Sequence, residues 1–423
     1  MKLFPELKPA RTFLFFTAIC FCGTVFGADE TNPLPKVFYA DPRAMADAKA
    51  KLDAGDTSLK PALEQLLKAA NKALALKPPS VMDKKRIPPS GDKHDYISQA
   101  PYYWRDTNSP DGKYIRRDGE RNPESNMDSD AGRLGSVCSN VSTLALAFYF
   151  TGDEKYAAKA AEILRVFFLA PATKMNPNLN FGQGIPGQVD GRPTGLIGAR
   201  GFVQMMDGLS LLENSKSWTA ADQSAMREWM SRYFIWLTTS KIGIGEFDAK
   251  NNHGSFYDDQ AAAIALFLGK TNFARTIILE AETNRIARQI EPDGRQPLEL
   301  ARTKSFGYSS FNLHALIDLA GIGQNLGIDL WHYQAPGGGS IYRALAFMAP
   351  FADPKLKWPY RQIQGYNHDS LADLLLRAVP EYPDAKLADA LKFYSTSELA
   401  TNRVRLLFRT AEIPNTPPEV LEK

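Results

Sequence analysis

Apolar side chains recur three and four positions apart along most of the chain, which is the spacing of one face of an α-helix. The pattern predicts a first pair of helices near Asp41 to Leu52 and Leu59 to Leu76. Four further pairs follow: 130–150 with 153–169, 194–213 with 218–238, 255–268 with 271–289, and 306–320 with 340–350. Alternating runs of the kind that form β-strands are scarce.

Two of the links between paired helices are alike. The stretches AFYFTGDEKYAAKAAEIL and IALFLGKTNFARTIILEA each end an apolar helix, place a glycine at the stopping position and start a new amphipathic helix. Helical hairpins that recur about every 50 residues bury their apolar faces only against neighbouring hairpins. We therefore predict an all-α fold, an (α/α) toroid, as an incomplete barrel of about six or seven helical pairs. An open solenoid is the alternative.

Residues 78–126 interrupt the helices with proline, aromatic and charged side chains that follow no convincing period. A long stretch without regular structure inside a compact domain is usually a functional loop. We expect this segment to lie across one end of the toroid and to cover a cleft. The toroid itself is predicted to be a single domain over residues 28–423.

The first 27 residues have the order of a secretory signal peptide. Basic residues come first, an apolar stretch runs from Phe13 to Phe26, and small residues precede Asp29. Cleavage near Gly27 or Ala28 would leave Cys138 as the sole cysteine, which excludes an intrachain disulfide. No later segment looks long and apolar enough to span a membrane. These features predict a periplasmic or secreted protein.

The charges of the chain are nearly balanced, with 50 Lys and Arg residues against 47 Asp and Glu residues. A formal net charge of +3 gives no reason to expect nucleic acid or a membrane surface as a partner. An anionic ligand would therefore have to be held by local arginines. No cofactor and no metal ion is predicted, and a monomer is expected.

Candidate chemistry begins at residues 251–260, which read NNHGSFYDDQ. One interpretation is a polar cap at a helix start, since Asn is a favoured capping residue. The other is a catalytic corner, in which His253 at the positive end of a helix stays neutral and accepts a proton. A second stretch, PDGRQPLELARTKSFGY, places Arg302 six positions before Tyr308. Tyr308 also lies near a helix start, where a phenolate would be favoured.

Asn252, His253, Arg302 and Tyr308 together suit β-elimination on a uronic acid. In that reaction the C5 proton beside a carboxylate is removed while the C4 oxygen leaves. Asn252 and Arg302 would neutralise the carboxylate, whose charge opposes carbanion formation. His253 and Tyr308 would supply the base and the acid, and no metal is required. If the C5 proton and the C4 oxygen are on the same face of the sugar, a single residue can act as both base and acid.

These two stretches, with the upstream HDYISQAPYYWRDTNSPDGKYIRRDGERNPES, resemble the alginate lyase superfamily of α/α-toroid polysaccharide lyases. Within it the chain is most similar to polysaccharide lyase family 38, over nearly all of the mature chain. Family 5 alginate lyases share the Asn-His pair, but their spacing from Arg to Tyr is one residue longer. The resemblance implies a lyase with Asn252, His253, Arg302 and Tyr308 as its catalytic residues. Family 38 members act on alginate or on glucuronan, so the resemblance does not fix the sugar. We predict alginate, with glucuronan as the alternative.

The upstream stretch also supplies candidate substrate contacts. Aromatic rings offer flat faces to sugars and guanidinium groups offer forks to carboxylates. The candidates are His94, Tyr96, Gln99, Tyr103, Trp104, Arg116 and Arg117, with His368 in the GYNHD loop beside Asn367. Core packing of the aromatic residues and a solvated charged loop remain open as the structural interpretation.

Two other functions fit an α/α toroid. A glycoside hydrolase acts through two carboxylates, and Asp258, Asp259 and Glu299 are its candidates here. However, acidic residues at the start of a helix are favoured by the helix dipole alone. A non-catalytic glycan-binding protein gives no reason to assemble Asn, His, Arg and Tyr. A lyase is therefore the predicted enzyme, and an anionic polysaccharide is its predicted partner.

Overall fold

Helices dominate the computed structural model, which describes residues 34–108, 110–366 and 368–414. The predicted signal peptide, residues 1–27, lies outside the described residues. The helices are α1 (Pro42–Asp53), α2 (Lys60–Leu74), α3 (Asp130–Thr151), α4 (Glu154–Leu164), α5 (Phe202–Leu211), α6 (Ala220–Thr239), α7 (Lys241–Phe247), α8 (Asn252–Phe267), α9 (Thr271–Ala281), α10 (Ala287–Gln289), α11 (Pro297–Leu300), α12 (Ser305–Asn325), α13 (Ile341–Met348), α14 (Asp369–Ala378), α15 (Ala385–Ala390), α16 (Thr396–Ala400) and α17 (Val404–Leu407). The strands are β1 (Ile97–Gln99), β2 (Tyr103–Arg105), β3 (Tyr114–Arg116) and β4 (Phe181–Gly184).

The helix ends follow the local chemistry of the chain. Gly152 after α3 and Gly269 after α8 adopt φ angles of 69° and 75°, as expected of the glycine that ends a helix. Asp153 then caps α4 by accepting a hydrogen bond from the backbone N–H of Lys155. The helix α4 continues into a π-helical turn, and a second π-helical turn joins α9 to α10. The predicted helices 153–169 and 271–289 are therefore continuous helical stretches.

The longest buried helices follow one another around a ring. Helix α3 lies against α5, α5 against α8, α8 against α12, and α12 against α14, while α17 and α2 lead back to α3. Residues 254–265 of α8 are all buried, as expected of an inner helix. The helices α4, α9 and α13 pack on α3, α8 and α12 and bury one face each. The fold is the predicted (α/α) toroid.

Helix α3 corrects one expectation about membrane spans. It has 22 residues, and its most apolar window has a mean hydropathy of 1.2, so by length and composition it could cross a membrane. In the fold, however, 61% of its apolar window is buried, and it packs against α2, α4 and α5. These are the properties of a core helix in a packed domain.

The segment 78–126 also differs from the expectation of an irregular loop, because it contains two short paired structures. Strands β2 and β3 form an antiparallel pair in which Tyr103 is opposite Arg116 and Trp104 is opposite Ile115. Strand β1 pairs in parallel with β4, which lies after α4. Strands of three or four residues are too short to leave a readable alternation in the sequence. The pairing nevertheless fixes which side chains of the segment share a face.

Candidate active site

The four candidate catalytic residues line one cavity of about 480 Å³. Asn252 and His253 come from the start of α8, and Arg302 and Tyr308 come from the residues around the start of α12. Three other parts of the chain contribute to the walls. They supply Tyr102, Tyr103, Arg116 and Arg121 from the segment 78–126, Gln183, Arg192, Pro193, Thr194, Ile197 and Arg200 from β4 and the residues after it, and Gly245, Glu246 and Ala249 from α7 and the residues after it.

The start of α8 combines the two interpretations of its sequence. The side chain of Asn251 is the cap, accepting a hydrogen bond from the backbone N–H of His253 at 3.3 Å. The next two residues, Asn252 and His253, reach the cavity. Gly254 fits because a Cβ there would lie 2.2 Å from the carbonyl oxygen of Ala249. One polar stretch therefore supplies both a cap and two cavity groups.

Asp258 supports this corner from the buried side. Its carboxylate accepts hydrogen bonds from Nε and Nη2 of Arg285 at 2.7 and 2.9 Å. Arg285 also donates to the carbonyl oxygens of Phe247 and Ala249, which precede α8. Burial raises the pKa of Asp258, and the guanidinium of Arg285 opposes that rise. The ion pair thus fixes the path of the chain that leads to His253.

A buried carboxylate fixes the ring of His253. Nδ1 of His253 lies 2.6 Å from Oε1 of Glu246, a residue of α7 whose side chain is 2% exposed. A carboxylate favours the tautomer with the proton on Nδ1, which leaves the lone pair on Nε2. The same pairing of a carboxylate with a histidine orients the general base of the serine proteases. Glu246 was not a candidate from the sequence, although it lies only seven positions before His253.

Asn252 is held by a second buried carboxylate. Its backbone N–H and its Nδ2 both donate to Glu299, at 2.8 and 2.7 Å. Burial raises the pKa of Glu299, and the two hydrogen bonds from Asn252 oppose that rise. The pair fixes the orientation of the amide, because Nδ2 must face the acceptor. One N–H of the amide then remains for a ligand.

Arg302 is anchored by Asp118 from the segment 78–126. Its Nε and Nη2 donate to the carboxylate at 3.1 and 2.7 Å, while Nη1 has no partner among the described residues. The backbone N–H of Thr303 donates to the same carboxylate at 3.1 Å. Burial alone would raise the pKa of Asp118, but the hydrogen bonds from Arg302 and Thr303 hold it well below its usual range. An ionised Asp118 therefore ties the segment to the start of α12.

Tyr308 lies beneath Arg302, whose guanidinium carbon is 3.7 Å from the centre of the ring. Its hydroxyl is 2.7 Å from that of Tyr102. Burial and the neighbouring Tyr102 raise the pKa of Tyr308 well above its usual value, although Arg302 acts to lower it. The expectation of a favoured phenolate was wrong, because burial outweighs the helix start and the arginine. Tyr308 is a neutral phenol in the free protein.

Of the eight predicted substrate contacts, two line the cavity and six do not. Tyr103 and Arg116 line the cavity. Trp104 is the next residue of β2, and it points to the other face of the strand pair, where Arg117 covers its ring. The remaining four are His94, whose Nδ1 contacts the carbonyl oxygen of Lys174, Tyr96 and Gln99, which are buried, and His368, whose Nδ1 contacts the carbonyl oxygen of Phe351. Asn367 lies outside the described residues.

The carboxylates considered for a hydrolase are all buried and are 2% exposed or less. Asp258 is paired with Arg285, and Glu299 holds Asn252. Asp259 lies deep in the ring, where burial and the charge of Asp318 raise its pKa. A glycosidase needs two accessible carboxyl groups that flank the substrate. These three residues do not provide such a pair, and no three His, Cys, Asp or Glu side chains cluster as a metal site within the described ranges.

Sequence comparison identifies the class of protein that this fold and cavity define. The model of the alginate lyase family matches residues 80–358, and the chain belongs to that family. It is a polysaccharide lyase, as the sequence predicted. None of the curated proteins matches the chain.

Solved structures give the particular relatives. An alginate lyase from Bacteroides ovatus is 42% identical, with a TM-score of 0.84, over 88% of this chain and 99% of that chain. Alginate lyase A1-III from Sphingomonas species A1 is 16% identical, with a TM-score of 0.54, over 89% of this chain and 97% of that chain. A histidine-to-alanine variant of A1-III in complex with a tetrasaccharide is 16% identical, with a TM-score of 0.56, over 90% of this chain and 98% of that chain. At this identity the A1-III structures support the fold alone.

Proposed function

We propose that this protein cleaves alginate by β-elimination, with Asn252 and Arg302 neutralising the carboxylate and His253 and Tyr308 as base and acid. The observation that carries the proposal is the meeting of these four groups in one cavity, with His253 oriented by Glu246. The alginate lyase from Bacteroides ovatus, at 42% identity, supports the choice of polymer. The motifs described above support membership of polysaccharide lyase family 38.

The base in this mechanism is Nε2 of His253. Glu246 holds Nδ1, so Nε2 is the nitrogen that can accept a proton from C5. The buried carboxylate also stabilises the imidazolium that forms in this step. Since the side chain of His253 is 18% exposed, the ring can meet a sugar in the cavity while its other edge stays covered.

The acid is the phenol of Tyr308. A group that protonates the leaving C4 oxygen must carry its proton at the working pH, and the raised pKa of Tyr308 keeps that proton in place. The guanidinium of Arg302 over the ring stabilises the phenolate that forms as the proton leaves. In the free protein the Tyr308 hydroxyl donates to the hydroxyl oxygen of Tyr102 at 2.7 Å, a contact that favours the protonated phenol.

The carboxylate of the sugar would be held by the remaining donors of Arg302 and Asn252. Nη1 of Arg302 has no partner among the described residues, and Asn252 has one amide N–H beyond its contact with Glu299. Removal of the C5 proton moves negative charge onto this carboxylate. Fixed donors aimed at that charge stabilise the transition state more than the bound substrate.

The configuration of the sugar decides how the two proton transfers are divided. In guluronate the C5 proton and the C4 oxygen are on opposite faces, so His253 and Tyr308 would act from two sides. In mannuronate and glucuronate they are on the same face, and Tyr308 would then carry out both transfers. The raised pKa of Tyr308 makes the second route more demanding, because its phenolate must form first.

A substrate panel tests the proposal. Purified protein is mixed separately with polymannuronate, polyguluronate and glucuronan, and the absorbance of the unsaturated uronate product is followed in the ultraviolet. We expect an increase with the alginate blocks. An increase with glucuronan alone would support the alternative substrate. New reducing ends without ultraviolet absorbance would instead indicate a hydrolase, and binding without cleavage would indicate a glycan-binding protein.

We further propose that the protein is exported to the periplasm or the medium and acts as a monomer. The order of basic, apolar and small residues before Asp29 supports export. N-terminal sequencing of the protein from a cell fraction outside the cytoplasm tests it, with a new N-terminus near Gly27 or Ala28 as the expected result. The mass in solution, measured by light scattering, tests the monomer.

A further inference from the structure

Arginines dominate the walls of the cavity beyond the candidate catalytic residues. Arg116, Arg121, Arg192, Arg200 and Arg302 line it, whereas Glu246 is the one carboxylate among the described lining residues. Arg116 and Arg302 share Asp118 as their partner. The catalytic residues therefore account for only part of the positive charge that faces the cavity.

Arg192 differs from an ordinary surface arginine. Its side chain is half-buried, and none of the described acidic residues forms an ion pair with it. Its Nε donates to the backbone oxygen of Gln183 at 2.9 Å, and its Nη2 donates to the side-chain oxygen of the same residue at 3.0 Å. Burial lowers the pKa of Arg192 below its ordinary value, because the surroundings replace part of the water around the cation.

Gln183, which holds Arg192, has an unfavourable backbone conformation. Its φ angle is +48°, in the left-handed region that glutamine rarely adopts. The strand around it is closely packed, since a Cβ at Gly184 would lie 2.4 Å from the carbonyl oxygen of Asp190. Backbone strain of this kind persists where the surrounding structure enforces it, and it is concentrated at functional sites. Here the strained residue places both of its oxygens on one guanidinium.

The free side of Arg192 faces the cavity next to Tyr103. The guanidinium carbon lies 5.1 Å from the centre of the Tyr103 ring, so a cation and an aromatic face adjoin on the same wall. Nη1 of Arg192 has no hydrogen-bond partner among the described residues. An aromatic ring suits the apolar face of a sugar, and an arginine with free donors suits a carboxylate.

We propose that Arg192, positioned by Gln183, binds the carboxylate of a uronate unit adjacent to the one that Asn252 and Arg302 hold. This inference rests on the proposed uronan lyase activity. Every unit of a uronan carries one carboxylate, so a chain that threads the cavity presents a second anion to a second cation. Arg192 then selects for a charged neighbour and contributes to affinity rather than to the chemical step.

A series of mannuronate oligomers of increasing length tests the proposal, with the initial rate of ultraviolet absorbance as the measurement. In the wild type, kcat/KM should rise sharply at the length that first reaches Arg192. The variant Arg192→Ala should lose this rise, with a KM higher by about tenfold or more for the longer oligomers and kcat within about threefold. The KM of Arg192→Lys for the longer oligomers should lie between those of the wild type and Arg192→Ala, because lysine keeps the charge but lacks the forked guanidinium group. Arg232→Ala, which removes an exposed arginine of α6, is the control for net charge.

The same comparison can be made without turnover by calorimetric binding of the longest oligomer to Tyr308→Phe, with and without Arg192→Lys. A wild type that cleaves no uronan contradicts the proposed function, whatever Arg192 does. An active wild type whose length dependence is unchanged in both Arg192 variants overturns the proposal, and so does an equal loss at every length. Circular dichroism verifies that each variant is folded.

Discussion

Oε1 of Glu246 lies 2.6 Å from Nδ1 of His253, so a carboxylate buried in α7 sets the tautomer of the imidazole at the start of α8. The two residues belong to different helices, since α7 ends at Phe247 and α8 begins at Asn252. The contact depends on the short turn between them. Arg285, which is paired with the buried Asp258, stabilises this turn by donating a hydrogen bond to the carbonyl oxygen of Ala249.

The first prediction concerns the tautomer of His253. Glu246→Gln should reduce kcat by on the order of a hundredfold or more, because an amide can donate to Nδ1 and so place the ring proton on Nε2. Glu246→Ala should be less harmful, since it removes the orienting group without enforcing the wrong tautomer. Rates on guluronate blocks measure both variants against Glu228→Gln, a change on the exposed face of α6. Wild-type turnover in Glu246→Gln would remove the pair from the mechanism.

The sequence predicts those parts of the fold that depend on interactions between residues close together in the chain. Helices are stabilised by contacts between residues three and four apart, so the periodicity of apolar positions was enough to find α3, α8 and α12. Strands β2 and β3 have three residues each, and their pairing depends on the tertiary position of the segment. The sequence therefore predicted an irregular loop where the structure has a strand pair.

The same distinction applies within the cavity. The motifs pointed to Asn252, His253, Arg302 and Tyr308, because each lies in or just before the first turn of a long helix. Their partners are set by packing: Asp118 is 184 positions from Arg302 in the sequence. No spacing rule connects such residues. For the wall of the cavity around Gln183, the sequence offers two indications of function. One is the glycine-rich stretch around this residue, and the other is the excess of arginine over acidic residues near it.

The second prediction concerns the neutralisation of the carboxylate. Arg302→Ala and Asn252→Ala should each reduce turnover by on the order of a hundredfold or more, because the donors matter most as charge develops in the transition state. Arg302→Lys should not restore activity, since an ammonium cannot pair with Asp118 through two nitrogens and cover the Tyr308 ring at once. Steady-state kinetics measure kcat and KM separately, and Arg232→Lys is the matched control.

Because Asn252 also satisfies Glu299, its replacement needs a stability measurement beside the kinetics. A folded Asn252→Ala enzyme with near-normal kcat would contradict a role for the amide in neutralising the carboxylate.

The third prediction is the pH dependence set by Tyr308. An acid is active in its protonated form, which persists up to its pKa, and burial and Tyr102 raise the pKa of Tyr308 above its ordinary value of 10.0. On guluronate blocks the rate should therefore show no alkaline loss from Tyr308 below about pH 10. Tyr102→Phe removes one cause of the raised pKa and should move the alkaline limb to lower pH. Profiles of kcat/KM against pH test this, and Tyr308→Phe should be inactive throughout.

The fourth prediction separates the two faces of β2. Tyr103→Ala should weaken polymer binding, with KM higher by about tenfold, because its ring lines the cavity beside Arg192. Trp104→Ala should change KM less, since its ring packs against Arg117 and its Nε1 donates to the carbonyl oxygen of Glu120 at 2.9 Å. Kinetics on polymannuronate compare the two variants directly. A larger effect from Trp104 would reinstate it as a substrate contact.

The last prediction tests whether the strain at Gln183 is real and what it maintains. Gln183→Gly relieves the left-handed φ of 48°, which costs a side-chain-bearing residue about 1 kcal/mol, but it also gives the unfolded chain more freedom at similar cost. Its free energy of unfolding should therefore be within about 1 kcal/mol of the wild type. Both variants lose the side-chain bonds to Arg192 and Thr194, and only Gln183→Ala keeps the strain, so the alanine variant should be no more stable than the glycine variant. Both variants should raise KM for long oligomers, because Arg192 loses its support. Urea denaturation and oligomer kinetics measure the two effects, and an alanine variant more stable than the glycine variant would show that the backbone at this position is not strained.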